Sequence, residues 1–162
     1  MKKYLFVFTL IAACLIGCTT AKAATGDSVG VAENQDFSEI AGKDWKLTAV
    51  YVDGADIQFN RDSQPDGFSR DIFSLKFDDG TLSGLGAPNR FTGRYTLNED
   101  QSLSVMPLAS TMMAALFQPE GLSEFEFFGF LHGIYSWKQV NGNLELSSKT
   151  GDNREVRLVF GL

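Results

Sequence analysis

Asp79-Gly80 and Asn141-Gly142 cut the apolar runs of this chain into strand-length pieces, and such pairs mark tight hairpins because both central turn positions require positive φ. Around them lie the candidate strands. Trp45 to Tyr51 runs up to Asp53-Gly54, and Ile72 to Phe77 alternates well enough to bury one face before Asp79-Gly80. Arg90 to Leu97 and Ser102 to Leu108 flank the polar turn Asn98-Glu99-Asp100-Gln101. Tyr135 to Val140 turns through Asn141-Gly142 into Leu144-Glu145-Leu146, and Glu155 to Phe160 supplies a last strand. Short strands at this spacing predict a small antiparallel barrel or a strongly curled sheet.

One segment departs from that pattern. Ser123-Glu124-Phe125-Glu126 fits a capping box, and Gly133 is placed to stop a helix, so the spacing predicts a helix over 123–132. Phe125, Phe127, Phe128, Phe130 and Leu131 leave that helix apolar nearly all round, the pattern of a helix buried against or inside the sheet. The predicted class is therefore mainly β with one helix (α+β), the Phe-rich helix plugging the barrel.

The N-terminus gives an address. Lys2 and Lys3 precede an apolar stretch from Tyr4 to Ile16, and Leu15-Ile16-Gly17-Cys18 has the form of a bacterial lipobox. The stretch is short for a bilayer span. Residues 1–17 read as a lipoprotein signal peptide, Cys18 as the lipidated first residue of the mature chain, and 18–36 as a flexible tether rich in Ala, Thr, Gly, Ser and acidic residues. Several acyl chains on Cys18 would anchor the protein durably, each buried carbon contributing roughly 0.8 kcal/mol. Thr19 is not the aspartate that commonly retains lipoproteins at an inner membrane, so the expected place is the outer membrane, facing the periplasm. Ala21-Lys22-Ala23 also fits an ordinary secretory cleavage site, which would release a soluble secreted or periplasmic protein beginning at Ala24. Cys14 and Cys18 are the only cysteines, so the mature domain has no internal disulfide and depends on an ordinary apolar core. Residues 37–162 are enough for one domain.

Charge and chemistry exclude more than they assign. Loss of Lys2 and Lys3 leaves 12 basic against 20 acidic residues, a net of −8, which disfavours nucleic acid as a partner. His132 is the single histidine, no mature cysteine remains, and no G-x-S-x-G elbow presents a serine, so a noncatalytic protein is expected. His132 reads as a helix-end residue. Met106, Met112 and Met113 lack the repeated spacing of a copper site and are expected as core filler. The acidic loop Arg61 to Gly67 lacks the ligand order of a calcium loop. Neither metal nor cofactor is expected.

Trp45-Lys46-Leu47, Phe77-Asp78-Asp79-Gly80, Asn89-Arg90-Phe91-Thr92-Gly93-Arg94-Tyr95, then Ala109-Ser110-Thr111-Met112-Met113-Ala114-Ala115 and the Phe-rich helix follow one another in an order that resembles the META domain of HslJ-like bacterial lipoproteins. The resemblance covers most of residues 37–162. It implies a small lipocalin-like barrel in envelope proteins, some linked to heat stress or antibiotic tolerance, without established catalytic residues. Many such relatives carry cysteine where this chain has Pro88 and Ala115, so no redox role carries over. Gly84, Gly86 and Gly93 are expected at bends or close backbone approaches. Asn89, Arg90 and Thr111 are the candidate contacts for a ligand or partner, because polar loop residues at a barrel mouth are where binding groups sit. Two functions are expected to compete: an envelope module contacting a protein or cell-wall partner, and a carrier of a small apolar ligand inside the barrel.

Overall fold

A computed structural model describes residues 35–65 and 69–162. The signal peptide, Cys18 and residues 18–34 of the tether lie outside the described residues, as do Asp66 and Gly67 of the acidic loop. Ten strands and one α-helix make up the described part: β1 (Trp45–Val52), β2 (Ala55–Gln58), β3 (Ser74–Asp78), β4 (Thr81–Leu85), β5 (Arg90–Leu97), β6 (Leu103–Val105), β7 (Ala109–Ser110), α1 (Glu124–His132), β8 (Ser136–Val140), β9 (Asn143–Lys149) and β10 (Glu155–Gly161).

All the strands are antiparallel, in the order β6-β5-β4-β3-β1-β10-β9-β8, with β2 on β1 and β7 on β5. The sheet curls until its two edges meet. Ser102 bridges Ser136, the Leu103 N–H donates to the Tyr135 carbonyl at 3.0 Å, and the Trp137 N–H donates to the Gln101 carbonyl at 3.1 Å. The result is a nearly closed barrel, which leaves little unpaired edge.

The turn dipeptides act as their residue types dictate. Asp79 and Gly80 have φ of 43° and 73°, and Asn141 and Gly142 have 52° and 81°. β3 begins at Ser74, two residues later than expected, because Phe73 takes a positive φ of 51° and breaks the regular strand, although its N–H donates to the Gly86 carbonyl at 3.3 Å, its carbonyl accepts from the Leu47 N–H at 2.9 Å and its ring stays fully buried. Of the expected strand from Ser102 to Leu108 only Leu103–Val105 pairs as a strand, and β7 starts beyond its expected end, at Ala109. Pro107, which has no N–H to give, falls between β6 on Tyr95–Leu97 and β7 on Phe91–Thr92. Gly84, Gly86 and Gly93 do not sit at positive φ. Close approach is their reason: a Cβ on Gly84 would strike the Ser74 carbonyl oxygen.

Trp45, Phe73, Phe77, Phe127 and Phe160 are fully buried together and fill the barrel with ring and aliphatic carbon. Helix α1 contributes to that core from one side. Its capping box forms as expected, the Glu126 N–H donating to Ser123 Oγ at 3.2 Å and the Ser123 N–H donating to Glu126 Oε2 at 3.0 Å. Phe127 meets Phe73 at 4.9 Å and Phe91 at 6.1 Å between ring centroids. At its other end Ser148 Oγ donates to the Phe130 carbonyl at 2.5 Å. The helix is not buried all round: Phe127, Phe130 and Leu131 face the core, whereas Phe125 is 87% exposed. His132 is exposed in the last turn.

Candidate functional site

The β4–β5 connection, Gly86 to Asn89, carries a cis peptide between Ala87 and Pro88 and delivers Asn89 into the protein, 4% exposed. Burying a primary amide is favourable only if its donors and acceptors are met, and here each is. Asn89 Oδ1 accepts from Thr111 Oγ1 at 2.8 Å and from the Met113 N–H at 2.6 Å. Asn89 Nδ2 donates to the Met113 carbonyl at 3.0 Å and to Glu124 Oε2 at 2.6 Å. Its own N–H donates to Glu124 Oε1 at 2.6 Å, and its carbonyl accepts from the Gly86 N–H at 2.6 Å. One side chain thereby joins the β4–β5 turn, the segment after β7 and the first turn of α1.

Gly86 makes room for this. A Cβ there would lie 2.5 Å from Glu124 Oε1, so any larger residue would push the carboxylate off Asn89. Thr111 completes the clasp, its Oγ1 accepting from the Arg90 N–H at 3.1 Å while its N–H donates to the Arg90 carbonyl at 3.0 Å.

The segment from Thr111 to Gln118, the strap, has no helix or strand of its own. Met112 is 98% exposed, Met113 63% and Leu116 89%. The expectation of methionine as core filler is therefore wrong for Met112 and Met113, and Met106 is exposed as well. Phe91 and Phe127 occupy the core beneath this end, and the strap passes outside them.

Between strap and turn lies an open apolar cavity of about 540 Å³, walled by Leu85, Ala87, Pro88, Met113, Leu116 and Phe117, with Arg90 and Thr111 at its side. A second, more polar cleft of about 380 Å³ shares Ser69, Leu85 and Arg90 with it and adds Lys76 and Ser83. Arg90 makes its backbone bonds to Thr111, but its guanidinium has no ion pair or hydrogen bond among the described residues.

A family model for the META domain matches residues 38–159. The chain belongs to the META-domain family. Solved structures share its fold, among them two bacterial proteins. One is an NMR structure of a protein from Burkholderia xenovorans, 20% identical, TM-score 0.55, with 76% of this chain and 83% of that one covered. The other is a crystal structure of a duf4847 family protein from Bacteroides vulgatus ATCC 8482, 15% identical, TM-score 0.52, with 77% of this chain and 95% of that one covered. At those identities the likeness is one of fold. No curated protein matches the chain.

Within this META domain the three candidate residues come together, but in different roles. Asn89 and Thr111 spend their side-chain hydrogen bonds on the chain itself, and Arg90 alone turns a free polar group outward. Cys18 lies outside the described residues. Pro88 lines the cavity together with Ala114 and Leu116, whereas Ala115 does not line it. Glu124 was not singled out by the sequence. Its signal was present in part, as a glutamate just after the N-cap whose box partner is the other glutamate, Glu126.

Other polar groups have structural uses. Arg61 donates to the carbonyls of Leu47, Ile72 and Arg70 at 2.7, 2.7 and 2.8 Å, and burial draws its guanidinium below its usual pKa against the pull of Asp71. Glu145, 9% exposed on β9, pairs with Lys138 at 3.1 Å and Arg157 at 3.4 Å.

Proposed function

We propose that this META domain is a noncatalytic module held at the cell envelope by a lipid on Cys18, at the outer membrane facing the periplasm. It serves envelope stress or antibiotic tolerance by docking a protein or cell-wall partner through the strap. The carrying observation is the pairing of exposure with order: Met112 stands almost wholly in solvent between Thr111 and Met113, both bonded to Asn89, and Leu116 is exposed further along the same segment. Apolar side chains held outward in this way are characteristic of interaction sites. Phe125 adds a third such side chain beside Glu124. A carrier function inside the barrel gains no support, because that space is filled by Trp45, Phe73, Phe77, Phe127 and Phe160.

A photo-crosslinking residue at Met112, with one at exposed Asp152 as control, tests docking in cells under heat or antibiotic challenge. A specific adduct at 112 alone is expected, and no adduct at 112 would count decisively against it. The anchor is tested separately by acyl labelling, which Cys18→Ser should abolish.

A further inference from the structure

The apolar cavity beneath the strap and the polar cleft beside it adjoin one another. Their common walls are Ser69, Leu85 and Arg90, so a molecule lying across Arg90 would have apolar carbon on one side and polar groups on the other. The apolar compartment, at about 540 Å³, falls within the roughly 300–1,000 Å³ of small-molecule pockets. Its walls are mostly aliphatic and aromatic, and the buried Asn89 amide has no hydrogen-bonding capacity left.

The polar compartment supplies the charge complement. Arg90 and Lys76 both line it without an ion pair among the described residues, and Ser69, Ser74 and Ser83 add hydroxyls. Asp44 and Asp71 also border it. Asp71 is already paired with Lys46 at 2.7 Å, which holds its carboxyl below the usual range. A guanidinium at the boundary between an apolar slot and a polar cleft is suited to a carboxylate or phosphate, which it can bind bidentately.

We infer that the cavity and the cleft together bind a single-chain anionic amphiphile, its acyl chain under the strap against Leu85, Pro88 and Met113 and its head group on Arg90. The inference goes beyond docking of a macromolecule and concerns the inner face of the strap, not outward-facing Met112.

The test is saturable fluorescence binding of cis-parinaric acid and of its methyl ester to the full chain. The acid should bind better than the ester. Arg90→Gln should weaken the acid by about tenfold, as loss of a charged hydrogen bond does, and erase the preference. Ala114→Trp, at an exposed wall position, should block both probes without moving the thermal unfolding midpoint. Displacement by decanoate alone would mark a free fatty acid as the source, and displacement by lysophosphatidylglycerol a phospholipid. Met112→Ser should leave parinarate binding intact, so failure of the docking reading is seen separately. Absence of saturable binding, or equal binding of acid and ester in both wild type and Arg90→Gln, would overturn the inference.

Discussion

The two ends of the β3–β4–β5 meander are closed by different forces. At the Asp79-Gly80 end, Phe37 inserts its ring among Phe77, Tyr95 and Trp137 at centroid distances of 5.3, 5.5 and 5.0 Å. Gln35 reinforces it, donating to the Gln139 carbonyl at 2.7 Å and accepting from the Gln139 N–H at 2.6 Å. At the Gly86–Asn89 end the segment that crosses is held by the bonds of one buried amide, and several of its apolar side chains remain outside. A cover held by ring packing uses its apolar surface to stay in place. A cover held by hydrogen bonds keeps that surface free for something else.

The largest effect belongs to the core both ends share. Phe127→Ala, which empties the space between Phe73 and Phe91, should lower unfolding free energy by about 4 kcal/mol in denaturant titration. Asn89→Ala should cost about 2–3 kcal/mol, because it strands the Glu124 carboxylate and the Met113 backbone, and it should also release the strap. Phe37→Ala, at the other end, should cost about 2 kcal/mol while leaving the Met113 amide as protected as in wild type. If Phe37→Ala loosened the strap equally, the two ends would not be independent. Ser123→Ala, which removes the N-cap of α1 but not Glu124, should cost about 1 kcal/mol with little change at Asn89.

Acid should act away from both ends. The Lys46 ammonium bonded to Asp71, and the Tyr135 hydroxyl and Lys149 ammonium bonded to Glu155, hold those carboxyls below their ordinary range. A carboxyl depressed by folding contributes stability above its unfolded pKa and loses it as pH falls through its folded value. The thermal midpoint should therefore decline modestly once pH drops below about 4, and less so in high salt.

Most strands were legible because their turns are written locally, Asp79-Gly80 and Asn141-Gly142 specifying positive φ without reference to the rest of the chain, whereas β2, β4 and β7 were not read. The helix was legible from Ser123 and Glu126 for the same reason. What was not legible is how distant segments share groups. Asn89 takes partners 22 to 35 residues away, and nothing in its neighbourhood distinguishes a clasping amide from a ligand-binding one. The outward turn of Phe125 was hidden because phenylalanines spread nearly all round the helix leave no single apolar face to read, and the exposure of Met112 because apolar residues predict burial until a clasp prevents it. Local turn chemistry gave Arg90 to Leu97 its bounds, whereas Phe73 escaped because its positive φ contradicts its residue type.

Asn89 holds Thr111 and Met113 of the strap in place while Met112 stays exposed, and amide hydrogen exchange at Met113 reads that hold directly. Slow exchange in the wild type that becomes fast in Asn89→Ala, with strand amides of β9 and β10 unchanged under stabilising conditions, is the expected result. Fast exchange at Met113 in the wild-type protein would contradict it.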